Sequence, residues 1–269
     1  MKNIRLIAID LDGTLLRDDI SVSDYTKRVL SKVREKGIYI VIATGRMFCS
    51  AREWGKVIGI GDVPLCAYTG SMVGLCESGK IISDQRMDLN VARDILNEGK
   101  ENNWYMQSYI DDKVYVPFRD ERTDHYERIC NIRAHVVGND FWTPEKAPTK
   151  VLFYDNDLSV MEKIRKLVGK KFEKVAGSVI SQPNYFEFNK KGVSKGNAIT
   201  KLCNERNIPL DSVMTFGNAQ NDISMFELSP WSFAVENASE VAKASAKFTT
   251  LSNNQDGVAH AIEKYVLEA

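Results

Sequence analysis

The chain has 269 residues and 43% hydrophobic content, enough to bury a sizeable core in one large or two ordinary domains. Lys and Arg (36) balance Asp and Glu (36), so the basic excess typical of nucleic-acid-binding proteins is missing. The five cysteines are odd in number and form no C-x-x-C pair, which argues against a disulfide framework and a zinc site. The N-terminal apolar run is too short and too charged for a signal peptide or a membrane span. We therefore expect a cytoplasmic protein without a nucleic-acid or membrane partner.

Strand-like and helix-like segments alternate over the first 70 residues. The β-branched run from Ile4 to Ile9 is typical of a parallel strand covered on both faces. Ser21 with Asp24 predicts a capping box at the start of the next helix. This alternation indicates an α/β fold with a doubly wound, Rossmann-like parallel sheet. The predicted elements are strands at 4–9, 38–43 and 64–68 and helices at 25–33 and 48–58.

The pattern changes near residue 71 and indicates an inserted α+β domain. Residues 77–79 predict the turn of a hairpin, and Asp111-Asp112-Lys113 predicts a second turn. Short strands and helices are then mixed rather than alternating, which is typical of an α+β arrangement. The predicted elements are strands at 72–76, 80–83, 105–110, 114–116, 134–137, 151–154 and 179–182 and helices at 91–102 and 158–170.

The alternation resumes after Gly192. Ser194 is the predicted cap of a helix over 195–206, and a strand at 213–216 is followed by a polar turn and a helix that starts near 223. Two weaker strands, at 232–235 and 248–250, are predicted to complete the sheet. Helices are predicted before 247 and over 258–267. We therefore predict a core formed by 1–84 and 190–269 and an inserted domain at 85–189.

Two carboxylates stand directly after the first buried strand. Asp10 and Asp12 flank Leu11, so an extended backbone places both side chains on the same side, before Gly13 allows a turn. Two carboxylates this close repel each other unless a cation or a proton intervenes. Because the carboxyl ends of parallel strands meet at one edge, we expect four groups to converge there. These are Asp10 with Asp12, Thr44 with Gly45, Lys195, and Asn218 through Asp222.

This set resembles the haloacid dehalogenase (HAD) superfamily in the order of its motifs: D-x-D-G-T, T-G-R, a lysine at a helix start, and G-[DN]-x-x-N-D. The insertion after the third core strand and the run 192–196 resemble the Cof-like branch, which has an α+β cap at that place. The resemblance covers essentially the whole chain. It implies a HAD core with a cap that sets specificity, and a Mg²⁺-dependent phosphatase that hydrolyses small phosphorylated metabolites, such as sugar or nucleotide-like cofactor phosphates, through an aspartyl-phosphate.

The resemblance also implies roles for individual residues. Asp10 would be the nucleophile, Asp12 the general acid and base, and Lys195 would neutralise charge on the transferring phosphoryl group. Arg46 and Tyr109 are expected to face the substrate, although Arg46 could instead bridge to a surface carboxylate. The implied phosphate-binding residues are Leu11, Thr44, Gly45, Lys195 and Asn221, the implied Mg²⁺ ligands are Asp10, Asp12 and Asn218, and the implied supporting residues are Thr14 and Asp222.

Two positions depart from the family pattern. Asn218 stands where the family commonly has aspartate, which removes one negative charge from the implied metal ligands and predicts weaker Mg²⁺ binding. Tyr68-Thr69-Gly70 replaces an Asn-Gly pair, so a phosphate or substrate contact at that turn stays open. Two alternative functions also stay open: a phosphotransferase or phosphomutase of the same superfamily, and a non-catalytic phosphate-sensing protein on the same fold.

Overall fold

The computed structural model describes residues 4–268. They form two compact units: one contains the residues up to Ile82 and those from Ser194 onward, and the other is Ser83–Val193. The chain therefore leaves the first unit after Ile82 and returns to it at Ser194. Residues 1–3 and 269, which belong to the predicted core segments, lie outside the described residues.

The secondary structure follows the predicted order over most of the chain. The strands are β1 (Leu6–Ile9), β2 (Tyr39–Ile42), β3 (Pro64–Ala67), β4 (Met72–Leu75), β5 (Ile81–Asp84), β6 (Met106–Ile110), β7 (Lys113–Val116), β8 (Ala134–Val136), β9 (Lys150–Tyr154), β10 (Ala176–Val179), β11 (Tyr185–Lys190), β12 (Val213–Gly217), β13 (Trp231–Val235) and β14 (Phe248–Thr250). The helices are α1 (Asp24–Glu35), α2 (Phe48–Val57), α3 (Leu89–Glu101), α4 (Glu121–Cys130), α5 (Leu158–Ile164), α6 (Lys170–Phe172), α7 (Lys195–Glu205), α8 (Ile223–Phe226), α9 (Glu240–Ser245) and α10 (Gly257–Ile262).

The first unit is organised around a parallel sheet in the order β14-β13-β12-β1-β2. β1 lies between β12 and β2, with Ile9 opposite Phe216 on one side and Ile42 on the other. All four residues of β1 are fully buried, as expected for a parallel strand covered on both faces. The predicted α/β class with a Rossmann-like parallel sheet is confirmed.

The third predicted core strand does not continue this sheet as a full member. β3 pairs with β4 in an antiparallel sheet of order β3-β4-β5, which contains the predicted hairpin. It meets β2 through a single bridge, Ala43 with Cys66, and a bond from the Thr44 N–H to the Cys66 carbonyl (2.8 Å). The reason is that β2 ends at Ile42, so only the first residue beyond it lies opposite β3.

The second unit has a six-stranded sheet in the order β10-β11-β9-β6-β7-β8. Asp111 and Asp112 both adopt positive φ (52° and 55°) in the predicted turn between β6 and β7, which is the backbone of a type I′ hairpin. Side chains from α3 and α5, such as Ile95 and Met161, share a hydrophobic core with Phe153 and other residues of the sheet. This unit therefore has a core of its own.

Three predictions of local structure were wrong. Of the strand predicted at 179–182, only Val179 lies in a strand, as the last residue of β10. Residues 180–182 belong to the connection to β11, where Pro183 lies in a turn. Helix α4 was not predicted, because only a few of its side chains are apolar and its N-terminus is set by a capping box between Asp120 and Thr123. Helix α1 is capped by Ser23, which accepts from the Thr26 N–H, rather than by Ser21.

Helix α7 packs very closely against α8, and this contact positions the lysine at the helix start. Ser194 caps α7 by accepting from the Asn197 N–H (3.1 Å). A Cβ on Gly196 would lie 2.0 Å from the Ser224 carbonyl oxygen, so no other residue fits without moving the helix. The glycine therefore fixes where Lys195 enters the site.

We expect Gly196→Ala to lower the free energy of unfolding by about 2 kcal/mol, because the added methyl group must push α7 away from α8. Urea denaturation measures the change. Asn204→Ala, at an exposed position of the same helix, is the control and should not destabilise. Equal stability of Gly196→Ala and the parent protein would contradict the close approach.

Candidate active site

The loop after β1 carries Asp10 and Asp12 at the carboxyl ends of the strands of the parallel sheet. The Asp10 N–H donates to the Phe216 carbonyl of β12 (3.1 Å), which continues the strand pairing up to the carboxylate. Gly13 follows with φ +68°, and a Cβ there would lie 2.4 Å from Asn218 Nδ2. Asp10 is 5% exposed, whereas the Asp12 side chain is 40% exposed. The loop thus holds one carboxylate in the interior and one at the surface.

Lys195 joins three distant parts of the chain in a buried ion-pair chain. Its Nζ donates to Asp10 Oδ1 and to Asp222 Oδ1, each at 2.6 Å, and both Lys195 and Asp222 are fully buried. The second oxygen of Asp222 accepts from the backbone N–H groups of Asn218 (2.8 Å) and Ala219 (3.0 Å). Asp222 is therefore fixed by the polar turn and in turn orients Lys195.

The pKa values in this ion-pair chain follow from one ammonium group, that of Lys195, among several carboxylates. Burial raises the pKa of Asp10 to about 7; Lys195 opposes this rise, whereas Asp222 and Asp12 add to it. Burial alone would lower the pKa of Lys195, but Asp10 and Asp222 together hold it above its ordinary value. The lysine is therefore protonated at neutral pH.

Thr14 brings a carboxylate and an amide oxygen together. Its Oγ1 lies 3.0 Å from Asp10 Oδ2 and 3.2 Å from Asn218 Oδ1. One hydroxyl proton can satisfy only one of these two acceptors at a time. Hard oxygen donors of this kind suit Mg²⁺. Within residues 4–268 no three acidic, His or Cys side chains are grouped to hold a metal.

The sequence left open whether Arg46 faces the substrate or bridges to a surface carboxylate, and in the structure its guanidinium group binds Asp12. Nε donates to Asp12 Oδ2 (2.8 Å) and Nη2 to Asp12 Oδ1 (2.6 Å). The Arg46 side chain is 5% exposed, and a buried guanidinium group requires a charged partner. The T-G-R motif therefore positions the carboxylate that the sequence assigned to proton transfer.

Tyr109 was also expected to face the substrate, but it is fully buried within the second unit. Its hydroxyl donates to Gln107 Oε1 (2.7 Å). Its ring packs edge-on against Tyr126 of α4 and lies 4.6 Å from the Lys150 ammonium. The unpredicted helix α4 explains the difference, because Tyr126 of that helix covers the ring.

A group of polar side chains surrounds Gly45. Thr44 is fully buried, and its Oγ1 accepts from the Arg46 N–H (3.1 Å). From a Cβ built on Gly45, Thr69 Oγ1 would lie at 3.6 Å and Asn221 Nδ2 at 3.8 Å. Among the described residues, Thr69 Oγ1 and Asn221 Oδ1 are buried without a hydrogen-bond partner. The Thr69 hydroxyl and Asn221 Nδ2 are hydrogen-bond donors, so the surroundings of Gly45 can form a cradle for an oxyanion, whereas the unpaired Asn221 Oδ1 can only accept.

Sequence reasoning missed Thr69 as a member of this group. Thr69 follows β3, so the rule that polar residues gather at strand ends could have identified it. Tyr68 and Thr69 both have positive φ (50° and 59°), a backbone that non-glycine residues rarely adopt and that concentrates at functional sites. The replacement of the family's Asn-Gly pair concealed this signal.

A family model described as haloacid dehalogenase-like hydrolase matches residues 7–262. The chain belongs to this family. Two relatives from Bacillus subtilis support the match. The 5-amino-6-(5-phospho-D-ribitylamino)uracil phosphatase YcsE is 29% identical, covering 98% of this chain and 97% of the relative, and the phosphatase YwpJ is 27% identical, covering 96% and 98%.

The fold of this HAD-like hydrolase is shared with a solved HAD/COF-like hydrolase from Plasmodium vivax. The two chains are 24% identical, with a TM-score of 0.91 over 99% of this chain and 97% of that one. The family match and these phosphatase relatives confirm the resemblance to the haloacid dehalogenase superfamily and identify the chain as a phosphatase that acts on phosphorylated substrates. No helix in the described part of the hydrolase is long and apolar enough to cross a membrane.

We expect Lys195→Met in this hydrolase to lower the free energy of unfolding by about 3 kcal/mol or more, because Asp10 and Asp222 would then be buried without their shared cation. Urea denaturation at neutral pH tests this expectation. Lys201→Met, on an exposed part of the same helix, is the matched control and should stay close to the parent stability. A similar small loss in both variants would contradict a structural ion-pair chain.

Proposed function

We propose that this hydrolase is a Mg²⁺-dependent phosphatase that hydrolyses small phosphorylated metabolites through an aspartyl-phosphate on Asp10. The observation that carries the proposal is the buried carboxylate of Asp10, which accepts a hydrogen bond from the Lys195 ammonium group at 2.6 Å. YcsE is named for a small phosphorylated substrate, which supports the same broad class here. The thiols of Cys66, Cys76 and Cys203 form no disulfide with the described residues, which supports a cytoplasmic location.

In the proposed first step, an Asp10 oxygen attacks phosphorus and the bond from phosphorus to the leaving oxygen breaks. Asp12 gives its proton to the leaving oxygen and is left as a carboxylate. In the second step, Asp12 takes a proton from water, the water oxygen attacks phosphorus, and the bond to Asp10 breaks to release inorganic phosphate. Asp12 ends the cycle protonated, so protons and atoms balance.

The surrounding groups support these steps by position and charge. Lys195 cancels part of the repulsion between Asp10 and an incoming phosphate dianion. Thr44, Asn221 and the backbone N–H groups of Leu11 and Gly45 are the proposed donors to the phosphate oxygens. Arg46 orients Asp12 through two hydrogen bonds. Thr69 adds a hydroxyl that the described residues leave unpaired.

Three oxygen donors are the proposed holders of Mg²⁺: an Asp10 carboxylate oxygen, the Asp12 backbone carbonyl and Asn218 Oδ1. The placement of two of these around Thr14 Oγ1 fits such a cation. When bound, Mg²⁺ would supply positive charge that offsets repulsion between the Asp10 carboxylate and the phosphate. We also propose that the inserted domain, predicted at 85–189, acts as the cap that selects the substrate.

The decisive test is the release of inorganic phosphate from a panel of phosphorylated metabolites, with Mg²⁺ and without an added acceptor. We expect Asp10→Asn to lower kcat by about a thousandfold or more, because an amide is a poor nucleophile. Glu35→Gln, an exposed position of α1, is the control and should retain full activity. Hydrolysis retained in Asp10→Asn would refute the nucleophile. Transfer only to an added sugar would identify a phosphotransferase instead.

We expect Asn218→Asp to tighten Mg²⁺ binding by about tenfold, because it adds a charge to the ligand set. Calorimetric titration with MgCl₂ measures this directly and does not depend on turnover. Asn204→Asp, exposed on α7, adds the same charge away from the site and should leave the affinity unchanged. Equal or weaker binding by Asn218→Asp would exclude residue 218 as a ligand.

A further inference from the structure

The second unit contains a pocket of about 500 Å³ that the phosphatase reaction leaves unexplained. Its lining residues all lie between Ser108 and Lys146, on β6, β7 and the segment that includes the 3₁₀ helix Gly138–Trp142. A volume of this size is typical of small-molecule sites. The pocket is therefore large enough for a ligand of its own.

One residue that lines the pocket, Ser108, has a buried hydroxyl group that the described residues leave unpaired. Ser108 is 2% exposed and belongs to the pocket lining. Its Oγ has no hydrogen-bond partner within residues 4–268. A hydroxyl group buried in this way is destabilising, and a bound molecule with a polar atom would remove the penalty.

Two aromatic rings give the pocket rigid apolar walls. Tyr115, half-buried, stacks on His135 with ring centres 5.2 Å apart. Phe141, 3% exposed, packs edge-on against Trp142 at 4.9 Å. Because these contacts fix the rings, a ligand that enters finds preformed faces. Such faces accept an apolar body and also attract a cation.

The charged groups of the pocket are mainly acidic. Asp111, Asp140 and Glu145 face a single ammonium group, that of Lys146. Lys146 is already paired with Asp111 (2.8 Å), which also binds Arg86 (2.9 Å). The exposed carboxylates of Asp140 and Glu145 make no ion pair or hydrogen bond with the described residues. The pocket therefore repels phosphate and other anions and attracts cations.

We propose that this pocket binds a small organic ammonium compound with an apolar body. The ammonium group pairs with Asp140 and Glu145, and the body packs against Tyr115 and Phe141. A further hydroxyl, amide or carbonyl group on the ligand bonds to Ser108. This ligand is a cation, as the acidic lining of the pocket requires, whereas the phosphorylated substrate of the hydrolase reaction is an anion.

The test is calorimetric titration of the full chain with 2-phenylethylamine at low salt. Its neutral analogue 2-phenylethanol and its anionic analogue phenylacetate have the same ring and serve as matched probes. We expect saturable binding of the amine, about fivefold weaker binding of the alcohol, and still weaker binding of the acid. Added salt should weaken only the binding of the amine.

The double variant Asp140→Asn/Glu145→Gln should bind the amine about fivefold more weakly and should no longer distinguish it from the alcohol. Asp94→Asn, at an exposed position of α3 outside the pocket, is the control and should bind like the parent. Both substituted acids are exposed, so folding is not at risk. Any one of three results would overturn the proposal: absence of saturable amine binding, equal affinity for amine and alcohol, or unchanged binding by the double variant. The titration does not depend on phosphatase activity, so its outcome is separate from that of the proposed function.

Discussion

The buried ammonium group of Lys195 is the interaction on which the candidate active site depends. It joins the end of β1, the start of α7 and the turn after β12, segments that lie far apart in the sequence, through two bonds of 2.6 Å. Burying three charges is costly unless every charge has partners. The cost is offset here because Asp222 also accepts two backbone N–H bonds and Asp10 accepts one from Thr14. The positions of these three segments are thereby coupled.

The distribution of charge around Lys195 gives a physical meaning to Asn218. Arg46 pairs with Asp12. The buried ion pairs of Lys195 with Asp10 and Asp222 therefore contain two carboxylates and one ammonium group. A third carboxylate at position 218 would increase this excess whenever no cation is bound. Asparagine keeps the oxygen beside Thr14 without the added repulsion. In the proposed metal site, the amide would attract Mg²⁺ less strongly than a carboxylate at the same position.

The sequence predicted the parallel core well because its signals are local and strong. The apolar run of β1, the cap of α7 at Ser194 and the polar turn after β12 each follow from neighbouring residues. What failed depends on tertiary contacts. Tyr109 is buried by Tyr126 of a helix whose charged sequence concealed it. For Arg46 the sequence offered a bridge to a surface carboxylate as one alternative, but it could not name Asp12 as the partner, because the pairing joins residues 34 positions apart.

The turn at Tyr68 and Thr69 shows how the structure supports a strained segment that the sequence left open. A left-handed backbone costs a non-glycine residue about 1–2 kcal/mol, and here two consecutive residues adopt it. Two hydrogen bonds hold the turn, each 2.9 Å long: the Tyr68 N–H donates to the Arg46 carbonyl, and the Thr69 N–H donates to the Thr44 carbonyl. These bonds fasten the end of β3 to the T-G-R loop. The strain is therefore retained because this backbone fixes the loop that presents Thr44 and Arg46, and it also places an unpaired Thr69 hydroxyl beside Gly45.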